Sequence, residues 1–376
     1  MADSPAPISL AAPVLTGNEA RYVNDCLDTN WVSSKGRYIP AFEESFSSLV
    51  GAKFGVAVSS GTAALHVALA ALGVREGDEV IVPTFTMISC ANAIRYLGAK
   101  PVLVDSEEET WNIDPQGIRS AISPCTKAVM PVHIYGHPAD MAAIRDIASE
   151  HNLLVVEDAA EAHGAQVDGA PVGSLGDVGA FSFYANKIVT CGEGGMIVTN
   201  QEAIAQRAAA LRDQCYVPSR RRWLVHDGIG YNYRLTNLQA AIGLAQTERL
   251  SQFVDTHRST ARLYASKLVN VPGVTLPGEA TWAKNVYWMY TVLIDPTEYG
   301  LTRDELMNEL EKERIDSRSV FMPIHQQPAY KTQFEGQSFP VAERLSAQGL
   351  NLPSGNNTTP REVERVCSVI EALSRR

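Results

Sequence analysis

Three short segments carry residues that could act together on one small molecule. Lys187 closes the run Ala180-Phe181-Ser182-Phe183-Tyr184-Ala185-Asn186-Lys187, and Gly192-Glu193-Gly194-Gly195 follows it. The amine stands in a loop between two apolar stretches, where glycines let the backbone approach a bulky group. In such a place a lysine can be a nucleophile toward a carbonyl, or a base. A solvated loop lysine would have the same local sequence, and lysines are seldom buried without a partner. Asp158 ends an apolar run in Val155-Val156-Glu157-Asp158-Ala159-Ala160-Glu161. Open α/β sheets bind ligands at the C-terminal ends of their strands, so this carboxylate could face a protonated ring nitrogen. A helix cap or a structural ion pair would use the same residue. Finally, Ser59-Ser60-Gly61-Thr62-Ala63-Ala64 follows a strand pattern and opens a helix pattern. The first N–H groups of a helix lack internal partners and lie at its positive end, which suits a phosphate. Ser and Thr are also favoured there as plain N-caps.

In this chain order the three segments supply what pyridoxal 5'-phosphate needs. The helix start would seat the phosphate, Asp158 would keep the pyridine nitrogen protonated, and Lys187 would bond to the aldehyde.

These residues need a frame, and the hydrophobic pattern describes one. Runs at 55–59, 79–83, 101–105, 128–133, 153–157, 179–183 and 196–199 are short and almost continuously apolar. That is how strands buried on both faces read. Helix patterns lie between them: 62–72 aligns Leu65, Leu69 and Leu72, and 140–151 aligns Met141, Ile144 and Ile147. The alternation predicts an α/β domain with a large, mixed but mostly parallel sheet covered by helices. Beyond it the pattern predicts one long helix over 235–254, a strand over 287–294 and helices over 303–314 and 362–373. The expected division is a large domain over 12–240 and a smaller α+β domain over 241–376.

Composition narrows the function classes. The chain has 376 residues, 45% hydrophobic and 20% charged, with a net charge of −10. An acidic chain without a basic face argues against nucleic-acid binding. The one basic run, Arg220-Arg221-Arg222, suits either a solvated loop or a phosphate contact. The six cysteines form no CxxC pair, so neither zinc nor a redox motif is expected, and scattered thiols fit a reducing cytosol. His133 and His137 are read as loop histidines rather than metal ligands, since Gly136 and Pro138 disfavour a helix there. No stretch suits a membrane span or a secretory leader, so a cytoplasmic protein is expected. The stretch Ala2-Asp3-Ser4-Pro5-Ala6-Pro7 is expected to be disordered.

The chain resembles the DegT/DnrJ/EryC1/StrS family of sugar aminotransferases over nearly its whole length. The resemblance rests on Ser60-Gly61-Thr62-Ala63-Ala64-Leu65, Gly77-Asp78-Glu79-Val80-Ile81-Val82-Pro83, Glu157-Asp158-Ala159-Ala160 and Gly192-Glu193-Gly194-Gly195. It implies the aspartate-aminotransferase-like fold type I, with pyridoxal phosphate on Lys187. Asp158 would pair with the ring nitrogen. Ser60, Gly61, Thr62 and Ser182 would hold the phosphate, and Glu161 would lie near the phenolic oxygen, where many relatives carry Gln. Met87 stands where relatives often place a ring-stacking aromatic, and a thioether can cover the ring instead. Asn232 would reach the phosphate from a neighbouring subunit, making the active unit a homodimer with shared sites. Trp31, Ser34, Arg318 and His325 are candidates for the sugar-nucleotide side. Further segments, Asn30 to Arg37, Asn186-Lys187-Ile188-Val189, Gly230-Tyr231-Asn232-Tyr233-Arg234 and Gly349-Leu350-Asn351-Leu352-Pro353, resemble members acting at C4 of a GDP-linked 4-keto-6-deoxy sugar. The expected amino donor is glutamate. Alternatives are a C3 or C4 aminotransferase of a dTDP- or UDP-keto sugar, and a non-catalytic cofactor-binding regulator. Members that remove a 3-hydroxyl carry His at the Schiff-base position, so Lys187 argues against that activity. A regulator would need an added recognition element, and none is evident.

Overall fold

The computed structural model describes residues 6–217 and 224–374. The Arg220-Arg221-Arg222 run and all of the N-terminal stretch before Ala6 lie outside the described residues. A seven-stranded sheet forms the centre. Its order is Phe54–Val58, Gly195–Thr199, Val178–Ser182, Leu154–Asp158, Thr126–Val129, Glu79–Pro83, Lys100–Val104. Gly195–Thr199 runs antiparallel to both neighbours, and the other pairings are parallel. Every residue of Val178–Ser182 and Gly195–Thr199 is buried, which is why these strands read as unbroken apolar runs. The expected α/β class and mostly parallel sheet are thus observed.

The reversed strand matters for the site. Gly195 pairs with Val58 on one side and Ser182 on the other. Its start therefore lies at the same sheet edge as the ends of the parallel strands. Helix Gly61–Ala71 packs on Val178–Ser182 and Gly195–Thr199 and is buried from Ala63 to Ala71.

A second, antiparallel sheet has the order Val274–Thr275, Tyr290–Ile294, Gly349–Leu352, Arg318–Ser319. Helices Leu250–Leu268 and Pro360–Leu373 pack together beside it. Thr359 starts the latter with a capping box to Glu362.

One expected element differs. The single helix over 235–254 is two, Asn237–Thr247 and Leu250–Leu268. The turn between them is tight, with the Arg249 N–H bonding the Gln246 carbonyl at 3.0 Å, and Arg249 (φ −114, ψ 9) leaves helical geometry. The two hydrophobic cores share the second of these helices. Leu250, Phe253 and Val254 belong to the large core, whereas Ala261, Tyr264 and Leu268 on the same helix belong to the small one. Residues from Ile324 to Leu345 then return to the large core.

His133 and His137 lie in loop backbone, as expected, and both are buried. His133 is fully buried: its Nδ1 accepts from the Ala139 N–H (3.0 Å) and its Nε2 meets Glu157 at 3.1 Å. Glu157 in turn accepts the N–H groups of Gly173, Leu175 and Gly176. The pair ties a loop to the sheet. Among the described residues no cluster of metal-ligating side chains occurs, and no helix is long and apolar enough to cross a membrane.

Candidate active site

Strand ends at one edge of the large sheet build the floor of a cleft of about 370 Å³, and the small sheet builds its far wall. The floor brings together Ser60, Gly61, Thr62, Asp158, Glu161, Ser182 and Lys187, all expected from the sequence. Met87 and Arg318 also line the cleft. Both are exposed, and Arg318 lies on the small-sheet wall, where it pairs with Asn351.

The helix start is shaped by close backbone approach. Ser60 is the N-cap of Gly61–Ala71 and accepts from the Ala63 N–H at 3.1 Å. The N–H groups of Gly61 and Thr62 make no hydrogen bond among the described residues, so both remain free for an anion. A Cβ on Gly61 would lie 2.7 Å from Ser182 Cβ, and one on Gly195 would lie 2.2 Å from the Ser60 carbonyl oxygen. Only glycine at these two positions lets helix start, Ser182 and reversed strand converge. The Thr62 hydroxyl lies 3.0 Å from Ser89 Oγ.

Asp158 ends its strand and is 4% exposed. One carboxylate oxygen accepts the Cys90 thiol at 3.0 Å, the other the Ala160 N–H at 3.0 Å. Cys90 is fully buried, and burial together with the neighbouring Asp158 charge drives its thiol pKa far up, so it remains a donor.

Lys187 sits in the loop after Val178–Ser182. That loop is pinned at several points: Trp288 Nε1 donates to the Asn186 carbonyl (2.7 Å), Asn356 Nδ2 to the Ile188 carbonyl (3.0 Å), and Thr190 Oγ1 to the Phe183 carbonyl (3.0 Å). The Lys187 side chain is 10% exposed. Its Nζ lies 3.5 Å from the centroid of the Trp288 ring and 3.7 Å from Glu161 Oε1. Burial lowers the amine's pKa, opposed by the charges of Glu161 and Asp158. Burial raises Glu161 to about 7, opposed by Lys187. The second Glu161 oxygen accepts the Tyr135 N–H at 2.7 Å.

Other sequence candidates lie elsewhere. Asn232 is exposed and does not line its own chain's cleft, although the adjacent Tyr233 carbonyl accepts from the Ser59 N–H beside the helix start. Trp31 lines a separate surface hollow with Lys35 and Arg37, and Ser34 is half-buried outside the main cleft. His325 is buried behind the wall. Its Nδ1 is 2.8 Å from Thr84 Oγ1 and its Nε2 3.3 Å from Glu343, and burial lowers its pKa. The sequence reading overlooked Trp288, Tyr135 and Cys90. Trp288 lies in the apolar run 287–294 and Tyr135 between His133 and His137, and neither stretch, like a lone cysteine, carries a spacing signal. Asn351, within the segment Gly349 to Pro353, lines the cleft and accepts from Thr291 Oγ1 at 2.6 Å.

The residues present fit pyridoxal phosphate. Free helix-start N–H groups and hydroxyls match a phosphate, a buried carboxylate matches a pyridinium, and a desolvated amine matches an aldehyde. Fold and site together define a pyridoxal-phosphate enzyme of fold type I. Comparison with known proteins agrees. The model of the DegT/DnrJ/EryC1/StrS aminotransferase family matches residues 13–371. A GDP-perosamine synthase of Caulobacter vibrioides is 45% identical, covering 99% of this chain and 100% of the relative. One of Escherichia coli O157:H7 is 44% identical, covering 96% and 97%. The solved structure of DesV from S. venezuelae superposes with a TM-score of 0.89 at 36% identity, covering 96% of this chain and 95% of that one. The chain belongs to the DegT/DnrJ/EryC1/StrS aminotransferase family.

Proposed function

We propose that this enzyme moves the amino group of glutamate to C4 of GDP-4-keto-6-deoxy-mannose, giving GDP-perosamine. The observation that carries the aminotransferase reading is one cleft shared by Lys187, Asp158 and the Ser60–Thr62 helix start. The substrate rests on the two relatives named GDP-perosamine synthase, each matched along almost its whole length.

Ser60, Gly61, Thr62 and Ser182 would hold the cofactor's phosphate, and Met87 would border its ring. When bound, pyridoxal phosphate supplies an aldehyde for the amino group and a ring that draws electrons from the substrate carbon. Asp158, oriented by Cys90 and the Ala160 N–H, would accept a hydrogen bond from the ring nitrogen and hold its proton. Lys187, desolvated against Trp288, would take a proton from the donor's α carbon and later return one to the sugar's C4. Arg318 offers a cation on the wall for an anionic part of either substrate. In a homodimer, Asn232 would enter the partner's phosphate site, and Trp31 and Ser34 would border the nucleotide. A cytoplasmic location and a role in a surface glycan such as O-antigen complete this reading.

The test is an amine-transfer assay with glutamate and GDP-, dTDP- and UDP-linked 4-keto-6-deoxy sugars, the product read by NMR. The expected result is a 4-amino sugar from the GDP substrate. Transfer to C3, or only to a dTDP or UDP sugar, would overturn the substrate assignment and leave the aminotransferase class intact.

A further inference from the structure

We propose that Glu161 is the proton partner of Lys187: it takes a proton from the lysine ammonium when the amine must be neutral, and returns it afterwards. This rests on Lys187 being the reacting amine, and goes beyond a polar group bordering the cofactor.

The geometry isolates the pair. Glu161 Oε1 lies 3.7 Å from Lys187 Nζ, and the Glu161 and Lys187 side chains are only 5% and 10% exposed. The opposite oxygen is fixed by the N–H of Tyr135, a residue with φ 50 whose ring stacks on Phe321 at 5.3 Å. Glu161 therefore cannot swing away from the lysine without losing a buried hydrogen bond. On its other side Lys187 meets the Trp288 ring, which neither gives nor takes a proton.

The remaining titratable groups near the pair are poor competitors. Asp158 forms no ion pair with Lys187 among the described residues and already accepts from Cys90 and the Ala160 N–H. The Cys90 thiol is a donor to Asp158 and is held protonated. His163 is fully buried among Phe46, Phe181 and Phe183, and burial drives its pKa down to about 3. The Tyr135 hydroxyl accepts from the Phe321 N–H at 2.9 Å, and burial pushes its pKa far up.

The step is balanced. An ammonium and a carboxylate become an amine and a carboxylic acid, with one proton moved and no net charge created in the buried site. Burial disfavours both charged forms, drawing the two proton affinities together, which is the condition for easy exchange in either direction. A glutamine at this position would keep the bond to Tyr135 but could not hold the proton.

The experiment uses the full-length chain freed of cofactor. Labelling by 1-fluoro-2,4-dinitrobenzene, with which an amine reacts only in its neutral form, is followed at Lys187 by peptide mass spectrometry between about pH 6 and pH 10. Wild type is compared with Glu161→Gln and Glu161→Asp. With its negative partner gone, Lys187 of Glu161→Gln should react about fivefold faster near pH 8, and Glu161→Asp should move back toward wild type. In the cofactor-loaded enzyme, the pH dependence of the glutamate half-reaction should lose its limb near the Glu161 titration in Glu161→Gln alone. Equal labelling of wild type and Glu161→Gln, within twofold, would overturn the proposal. Because labelling needs no sugar substrate, its outcome is independent of whether the GDP-sugar assignment holds.

Discussion

Cys90 donates its thiol hydrogen to Asp158 across 3.0 Å, inside a region from which both side chains are closed to solvent. Thr86 Oγ1 lies 3.4 Å from the same sulfur, so the contact belongs to a short buried chain of polar groups. An apolar replacement leaves one lone pair of a buried carboxylate unmatched, at a cost of about 1–3 kcal/mol. Cys90→Val should therefore weaken pyridoxal phosphate binding about tenfold, whereas Cys90→Ser, which keeps a donor, should stay near wild type. Titration of the stripped enzyme with cofactor, followed by absorbance, checks both. Equal affinities for the two variants would mean that Asp158 needs no help from the thiol.

Trp288 serves Lys187 twice, through its ring face and through the Nε1 bond to the Asn186 carbonyl. Trp288→Phe keeps a face and removes the bond, freeing the loop at one anchor. Stability should fall by about 1 kcal/mol. The catalytic loss should exceed the binding loss, because the lysine acts on both substrates and is mispositioned for each. Single-turnover rates with glutamate and with the keto sugar should fall by similar factors. A defect confined to the sugar step would place Trp288 in sugar recognition instead.

The phosphate seat depends on Gly195, where a methyl group would stand 2.2 Å from the Ser60 carbonyl oxygen. Backbone cannot yield as a flexible side chain can, so Gly195→Ala must push the helix start out of place. Thr62→Val is the milder probe, removing a hydroxyl that bonds Ser89. Both should lose affinity for pyridoxal phosphate, Gly195→Ala by about 100-fold and Thr62→Val by about tenfold. Affinity for pyridoxal, which has no phosphate, should change far less. Parallel titrations with the two compounds separate a damaged phosphate seat from a generally damaged cleft.

These dependencies explain which parts of the site could be read in the chain. Lys187, Asp158 and Ser60–Thr62 were legible because each ends or follows a strand whose apolar run is continuous, and strand ends are where such sheets act. The reversed strand Gly195–Thr199 was not legible as reversed, since period and composition do not encode direction. Trp288 approaches Lys187 from a distant part of the chain, and Tyr135 reaches Glu161 through its backbone, so neither leaves a local pattern. The break in the helix predicted over 235–254 went unseen because it is a backbone departure at Arg249, a residue type common inside helices, and so leaves no mark in the pattern.

His163 gives the fold a pH dependence of its own. Both ring nitrogens are buried without a hydrogen-bond partner among the described residues, and burial takes the ring to about 3 from an ordinary value near 6.5. Between those values the unfolded chain binds a proton that the folded chain refuses, so stability is lost as pH falls below about 6.5. At pH 5 the loss from this residue is about 2 kcal/mol. His257, brought down to about 4 by burial, adds a loss of the same sign. Glu161 acts oppositely, because its raised value makes the folded chain hold a proton that the unfolded chain releases, a contribution that fades as pH rises toward 7. A comparison of variants isolates the histidine. His163→Phe places an apolar ring among Phe46, Phe181 and Phe183 and removes only the His163 share of the slope. Urea unfolding from pH 7 to pH 5 should show a loss about 2 kcal/mol smaller in His163→Phe than in wild type. Parallel pH slopes for the two proteins would show that the folded chain accommodates the imidazolium after all.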